Sequence, residues 1–101
     1  NAKQIAEIRL IEISKFARSA SKIENNIINT FSGDTVSHQN KQILISDKNG
    51  NKRTFTNIEN FNINEKDGVY EIIIEVCRDN DCNEEELITV STNIVPRNTT
   101  P

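Results

Sequence analysis

Residues 69–77 read Val-Tyr-Glu-Ile-Ile-Ile-Glu-Val-Cys and carry the strongest strand signal in the chain. Apolar side chains occupy every even position from Tyr70 to Val76, and Glu71 and Glu75 stand among the odd ones. Alternation over this length is typical of a strand with one buried face. The sequence therefore predicts a β-strand from Val69 to Cys77 whose even-numbered side chains face the core.

The only two cysteines of the chain, Cys77 and Cys82, bracket the polar loop after this strand. One histidine and two cysteines cannot complete a closed zinc site, and the spacing differs from the C-x-x-C of redox enzymes. Two cysteines between strand-like runs favour a local disulfide that closes a hairpin, worth about 2 kcal/mol. Two free thiols are the alternative. A disulfide indicates an exported protein.

Further strands are predicted on both sides of this segment. The dipeptide Asn49-Gly50 is the strongest turn signal, because both residues accept the positive φ angles of a hairpin. Glu65–Gly68 predicts another turn, and Pro96 ends the last strand. The predicted strands are Gln42–Ser46, Lys52–Thr56, Ile58–Ile63 and Leu87–Val95.

The N-terminal third predicts one long helix within residues 1–31. Ala2 to about Asn29 contains neither proline nor glycine and is rich in residues that favour helix. One apolar stripe recurs at spacings of three and four: Ile13, Phe16, Ala20, Ile23, Ile27 and Phe31. Gly33 is expected to cap the helix in a left-handed conformation. Thr35 to Asn40 is expected to form a polar connecting loop.

The first half of this helix is apolar on more than one side. Ile5, Ile8, Leu10 and Ile11 point around the helix beyond the single stripe that one globular body can bury. Such a helix needs a second partner, so these four residues are predicted to form an assembly face. The alternative is a larger fold that covers both sides, for which 101 residues offer little material. Accordingly, Ile23→Asp should unfold the domain, whereas Ile8→Asp should leave it folded.

Together these elements predict one α+β domain, with a long N-terminal helix packed on a four- to five-stranded antiparallel sheet. The helix occupies residues 1–31, the sheet residues 41–95, and a polar tail residues 96–101. A chain of 101 residues has room for one core.

Composition and motifs exclude several kinds of function. The net charge of −3 argues against nucleic-acid binding, despite a small basic patch at Lys48, Lys52 and Arg53. No apolar run reaches the length of a membrane helix. No phosphate loop, nucleophile motif or metal motif occurs, and His38 is expected to be a solvated loop residue. The sequence therefore predicts neither an enzyme nor a bound cofactor or metal.

An acidic cluster surrounds the cysteine loop and consists of Asp79, Asp81, Glu84, Glu85 and Glu86. It is predicted to be a solvated hairpin tip that can serve as a contact surface for a partner. A weak calcium site is the alternative, because carboxylates at this density could ligate calcium.

The order of elements resembles the periplasmic part of a type IV pilin or type II secretion pseudopilin. The residues that carry the likeness are the helix from Ala2 through Ile27, with the segment Ser14–Ala20 just before a pilin-like loop, and the hairpin from Cys77 to Cys82. The apolar N-terminal segment that is diagnostic of the family does not occur in these 101 residues. The resemblance implies that this membrane-anchoring segment has been removed.

The same resemblance implies a structural function. Subunits of this family assemble through their N-terminal helices into a pilus or pseudopilus, which serves in adhesion, DNA uptake or secretion. The expected partners are other subunits and the inner membrane. The expected location is the periplasmic side of that membrane, then an extracellular filament. A secreted cystatin-like binding or inhibitory module is the alternative, since one helix on an antiparallel meander has the same order of elements. The Gln-x-Val-x-Gly loop of that family is missing.

Overall fold

The computed structural model describes residues 1–78 and 87–97. An N-terminal helix packs on antiparallel β-sheet, which confirms the predicted α+β class. The helix is α1 (Ala2–Arg18), and the strands are β1 (Ala20–Glu24), β2 (Ile27–Thr30), β3 (Thr35–Gln39), β4 (Gln42–Ser46), β5 (Lys52–Phe55), β6 (Ile58–Lys66), β7 (Val69–Cys77) and β8 (Leu87–Ile94).

The strands form a large and a small sheet. β1 to β5 follow one another in a five-stranded antiparallel meander, and β6 to β8 form a three-stranded one that the sequence did not predict as a separate sheet. The predicted strands Gln42–Ser46 and Val69–Cys77 are confirmed residue for residue. The other three predicted strands are confirmed with shifts at their C-terminal ends. The large sheet also extends outside the predicted residues 41–95, because β1, β2 and β3 precede them.

The prediction of one helix across residues 1–31 is wrong beyond Arg18. α1 begins with a capping box, in which Asn1 and Gln4 bond reciprocally, and it ends with Ser19 as C-cap. The segment that follows, Ala20–Thr30, forms the β1–β2 hairpin instead of further helical turns.

The β1–β2 hairpin forms because two asparagines make its turn. Asn25 and Asn26 have φ angles of 55° and 59°, a left-handed conformation that asparagine tolerates better than most residues. Two such residues in succession give the tight turn that matches the twist of paired strands. Ile23 then lies opposite Ile28. The apolar spacing that suggested a helix is therefore a property of two paired strands.

Two further predictions after the helix are wrong. Gly33 has the positive φ that the sequence predicted, 94°, but it caps no helix, because it lies in the turn between β2 and β3. Its Cα is so close to the β4–β5 turn that an added Cβ would lie 2.8 Å from Cβ of Lys48. Thr35 to Asn40 is not a loop, because Thr35–Gln39 forms β3 between β2 and β4. Val36 anchors this strand in the core. One buried valine among polar residues produces no alternating pattern, which explains the missed strand.

One apolar core lies where α1 meets both sheets. The helix contacts β1 and β2 of the large sheet and β7 and β8 of the small one. On β7 the predicted inward positions Ile72, Ile74 and Val76 are buried, and Tyr70 packs against them from a half-buried position. Ile13 of α1 is fully buried. This packing fixes which side of α1 faces the core.

The two sheets are joined along β6. The backbone N–H of Ile58 donates to the carbonyl of Lys41 at 3.0 Å, and the N–H of Ile63 donates to Oδ1 of Asn26 at 2.9 Å. Both acceptors lie in hairpin turns of the large sheet. These bonds satisfy two N–H groups on the outer edge of β6.

His38 belongs to this junction and is not the solvated loop residue that the sequence predicted. It is half-buried on β3, and its Nε2 lies 2.7 Å from the carbonyl oxygen of Ile58, to which it donates. Its ring lies 6.2 Å from that of Phe61, measured between centroids. The histidine therefore ties the large sheet to the small one.

Candidate assembly surface

The helix α1 carries two apolar stripes on opposite sides. The core stripe consists of Ala6, Leu10, Ile13 and Ala17, and Ser14 is buried beside them. The other stripe is formed by Ile5, Ile8 and Ile11, whose side chains are 55%, 55% and 56% exposed. At about 100° per residue, Ile8 points about 200° away from Leu10. We call Ile5, Ile8 and Ile11 the exposed stripe.

The predicted assembly face is wrong in one of its four members. Leu10 is only 6% exposed and belongs to the core. It lies four residues after Ala6 and three before Ile13, so the helical repeat places it in the core stripe. The three isoleucines that remain follow one another at intervals of three residues and form a continuous row.

An open groove borders the exposed stripe. Ile8 and Ile11 line it on the α1 side together with Phe16, which is half-buried against the core. Lys15 and Arg53 complete its rim. The apolar surface on this side of the molecule is therefore wider than the isoleucine row itself.

Charged contacts hold β5 against one flank of α1. The Glu12 carboxylate lies 3.1 Å from the Arg53 guanidinium. The guanidinium of Arg9 lies 4.3 Å from the centre of the Phe55 ring, and that of Arg53 lies 5.6 Å from it. Exposed ion pairs and cation–π contacts each contribute about 1 kcal/mol or less. Sequence reasoning missed the contacts of Glu12 with Arg53 and of Arg9 with Phe55, because partners more than forty positions apart leave no local pattern.

A second groove lies at the N-terminal end of α1, where Asn1, Ile5 and Arg9 meet Val76 and Cys77. Cys77 is disulfide-bonded. Its predicted partner and the predicted contact surface lie outside the described residues, so both stay predictions: Cys82, and Asp79, Asp81, Glu84, Glu85 and Glu86.

In the β4–β5 turn, the Asp47 carboxylate accepts hydrogen bonds from residues of the same turn. The side-chain amide of Asn51 donates to Asp47 at 3.1 Å, and the backbone N–H groups of Asn51 and Asn49 donate at 3.0 and 2.8 Å. These hydrogen bonds, chiefly those from Asn51, lower the pKa of the Asp47 carboxyl below its ordinary value. This is the behaviour of a hairpin turn, as predicted from Asn49-Gly50.

Within residues 1–78 and 87–97, no three histidine, cysteine or acidic side chains are grouped so that they could hold a metal ion. In the same part of the chain, no helix has the length and apolar character needed to cross a membrane. No family model, curated protein or solved structure matches the chain. Its function has to be inferred from the residues themselves.

Proposed function

We propose that this chain is a structural subunit of a type IV pilus or a type II secretion pseudopilus, which assembles with other subunits through the exposed stripe of α1. The observation that carries the proposal is the exposure of Ile5, Ile8 and Ile11 on the side of α1 opposite the core. An apolar row in that position is typical of an interaction surface. A helix on an antiparallel sheet, with disulfide-bonded Cys77 at the end of β7, agrees with a pilin-like subunit.

The stripe offers a contact of modest strength. Complete burial of an isoleucine side chain contributes about 1.5–3 kcal/mol, so burial of the exposed half contributes about 1 kcal/mol. The three residues together contribute about 3–4 kcal/mol, which does not exceed the cost of bringing an isolated pair together. A filament multiplies such contacts, because each subunit meets several neighbours at once. The stripe therefore suits repeated assembly better than a single tight complex.

In this proposal the subunit is exported and needs no cofactor. An apolar segment N-terminal to α1 anchors it in the inner membrane, facing the periplasm, until it enters an extracellular filament. The surfaces away from α1 then determine whether the filament serves adhesion, DNA uptake or secretion.

The test is complementation in the organism that makes the protein. A strain lacking the gene receives the full-length wild type, the Ile8→Asp variant or the Gln39→Asp variant. Gln39 is exposed at the end of β3, so the Gln39→Asp variant introduces the same charge away from the exposed stripe. Ile8→Asp is expected to abolish surface filaments seen by electron microscopy, while immunoblots show normal amounts of the subunit. Gln39→Asp is expected to restore filaments.

Two results would overturn the proposal. One is a deletion strain that keeps its filaments and its secreted proteins. The other is a deletion phenotype that Ile8→Asp complements fully. A cystatin-like binding module predicts unchanged filaments and a soluble one-to-one complex with a different protein.

A further inference from the structure

The outer edge of β8 is open among the described residues. β8 pairs with β7 on one side and forms the edge of the small sheet. Its residues, Leu87–Ile94, include no charged residue and no proline. Proteins usually protect an edge strand with such residues, because its free N–H and C=O groups recruit another strand. On the opposite edge, two N–H groups of β6 donate to Lys41 and Asn26 of the large sheet.

The helix α1 runs beside this open edge. The N–H of Arg97, just after β8, donates to the carbonyl of Arg18 at 2.8 Å, so the C-terminal ends of helix and strand lie together. A groove of about 420 Å³ is lined by both elements. Its lining residues are Val90, Ser91 and Thr92 from β8, and Glu7, Leu10, Ile11, Ser14 and Arg18 from α1.

The helix side of this groove is self-complementary. Glu7, Ile11, Ser14 and Arg18 follow at intervals of four, three and four residues, so their spacing is the same from either end of the helix. A two-fold axis at its centre sets Glu7 of each helix against Arg18 of an antiparallel copy. Within the part of the chain that the structure describes, neither side chain forms an ion pair of its own. The charges are therefore available to a second copy.

We propose that a second copy of this chain pairs at this edge, β8 against β8, in a two-fold symmetric dimer centred on Ser91. Antiparallel pairing there sets Val90 opposite Thr92 of the partner subunit. It also joins the two three-stranded sheets into one of six strands, with both helices on the same face. A slip of one residue would move the partner's helix to the other face and separate Glu7 from Arg18.

The layer spacing fits this dimer. Neighbouring strands lie about 4.8 Å apart, so the axis passes about half that distance outside β8. α1 contacts both β7 and β8, and a helix axis midway between these strands would lie about one strand spacing from the dimer axis. The two helices are then about 10 Å apart, which is the distance at which helices pack side by side.

This dimer goes beyond the proposed filament contact and does not depend on it. Two-fold symmetry makes the helices antiparallel, whereas the subunits of a polar filament all point the same way. The dimer is therefore a state of the subunit outside the filament. Its charged pairs, Glu7 with Arg18, lie away from Ile5 and Ile8, whereas Ile11 belongs to both surfaces.

Sedimentation equilibrium of the purified chain tests the dimer through a charge swap. The wild type is expected to dimerise with a dissociation constant below about 1 mM. Glu7→Arg or Arg18→Glu alone places like charges together and should raise the dissociation constant about tenfold. The double variant restores opposite charges and should return the constant to within about threefold of the wild type. A double variant as weak as the single ones would overturn the proposal.

Two further variants distinguish contacts through the β8 edge from contacts through the exposed stripe. Ser91→Lys puts two lysines together at the axis and should abolish the dimer; Ser91 is exposed, so the monomer should melt as the wild type does. Ile8→Asp should leave the dimer unchanged. A wild type that stays monomeric throughout, or a Ser91→Lys variant that still dimerises, would overturn the proposal. Failure of the filament test would leave this result unaffected.

Discussion

Replacing one isoleucine on each face of α1 by alanine distinguishes the core face from the exposed stripe. Ile13 is 0% exposed and Ile8 is 55% exposed, and both lie in the interior of α1. The change Ile→Ala alters helix propensity equally at both positions, in favour of alanine by a few tenths of a kcal/mol. Ile13→Ala also leaves a cavity in the core and should cost about 2–5 kcal/mol. Ile8→Ala should change the free energy of unfolding by about 0.5 kcal/mol or less.

Urea denaturation followed by circular dichroism measures both values. For a domain of this size, a loss of 2 kcal/mol or more lowers the melting temperature by about 10 °C or more. The slope of the transition should stay the same, since neither variant changes the surface exposed on unfolding by much. Equal losses for Ile8→Ala and Ile13→Ala would refute the two-sided helix. Ile23, a core position in the sequence prediction, is half-buried on β1 and is a weaker probe.

Gly33→Ala should destabilise the protein by about 1 kcal/mol or more beyond Gly50→Ala in urea melts. Both glycines have positive φ angles, but only at Gly33 would the new Cβ meet Cβ of Lys48, at 2.8 Å; equal costs would contradict that close approach. The lowered pKa of Asp47 adds stability that is present above the ordinary carboxyl pKa of 3.8 and is lost as the pH falls through the lowered value. Asp47→Asn should remove this pH-dependent contribution to stability. A variant that keeps the pH profile of the wild type would contradict this expectation. Reduction of the disulfide at Cys77 should lower stability by about 2 kcal/mol. A melting curve unaffected by reductant would contradict this expectation.

The strands that the sequence predicted are those whose pattern is local. On β7, alternation alone identifies the inward positions, because one face is buried and the other is not. On the β4–β5 hairpin, Asn49-Gly50 marks the turn. The β1–β2 hairpin has a comparable turn at Asn25 and Asn26, but the spacing of Ile23 and Ile27 also fits a helix. Pairing across the hairpin decides between the two, and pairing is not visible in one segment.

The sequence predicts that α1 has a second apolar face, but it does not predict correctly which residues form that face. The excess of apolar residues in the first half of α1 indicates two faces, as Ile5, Ile8 and Ile11 show. The helical repeat places Leu10 beside Ala6 and Ile13, but which side of α1 faces the core is set by the sheets that pack on it. The contacts of Arg9 with Phe55 depend on the same packing.

Site-specific photo-crosslinking in living cells tests the central claim most directly. Ile8 of the full-length protein is replaced by p-benzoylphenylalanine, and the same replacement at Gln39 serves as control. If the exposed stripe joins subunits, irradiation at position 8 gives a ladder of multiples of the subunit mass, and position 39 gives monomer. Crosslinks from position 8 to a different protein alone, or none at all, would contradict assembly through α1.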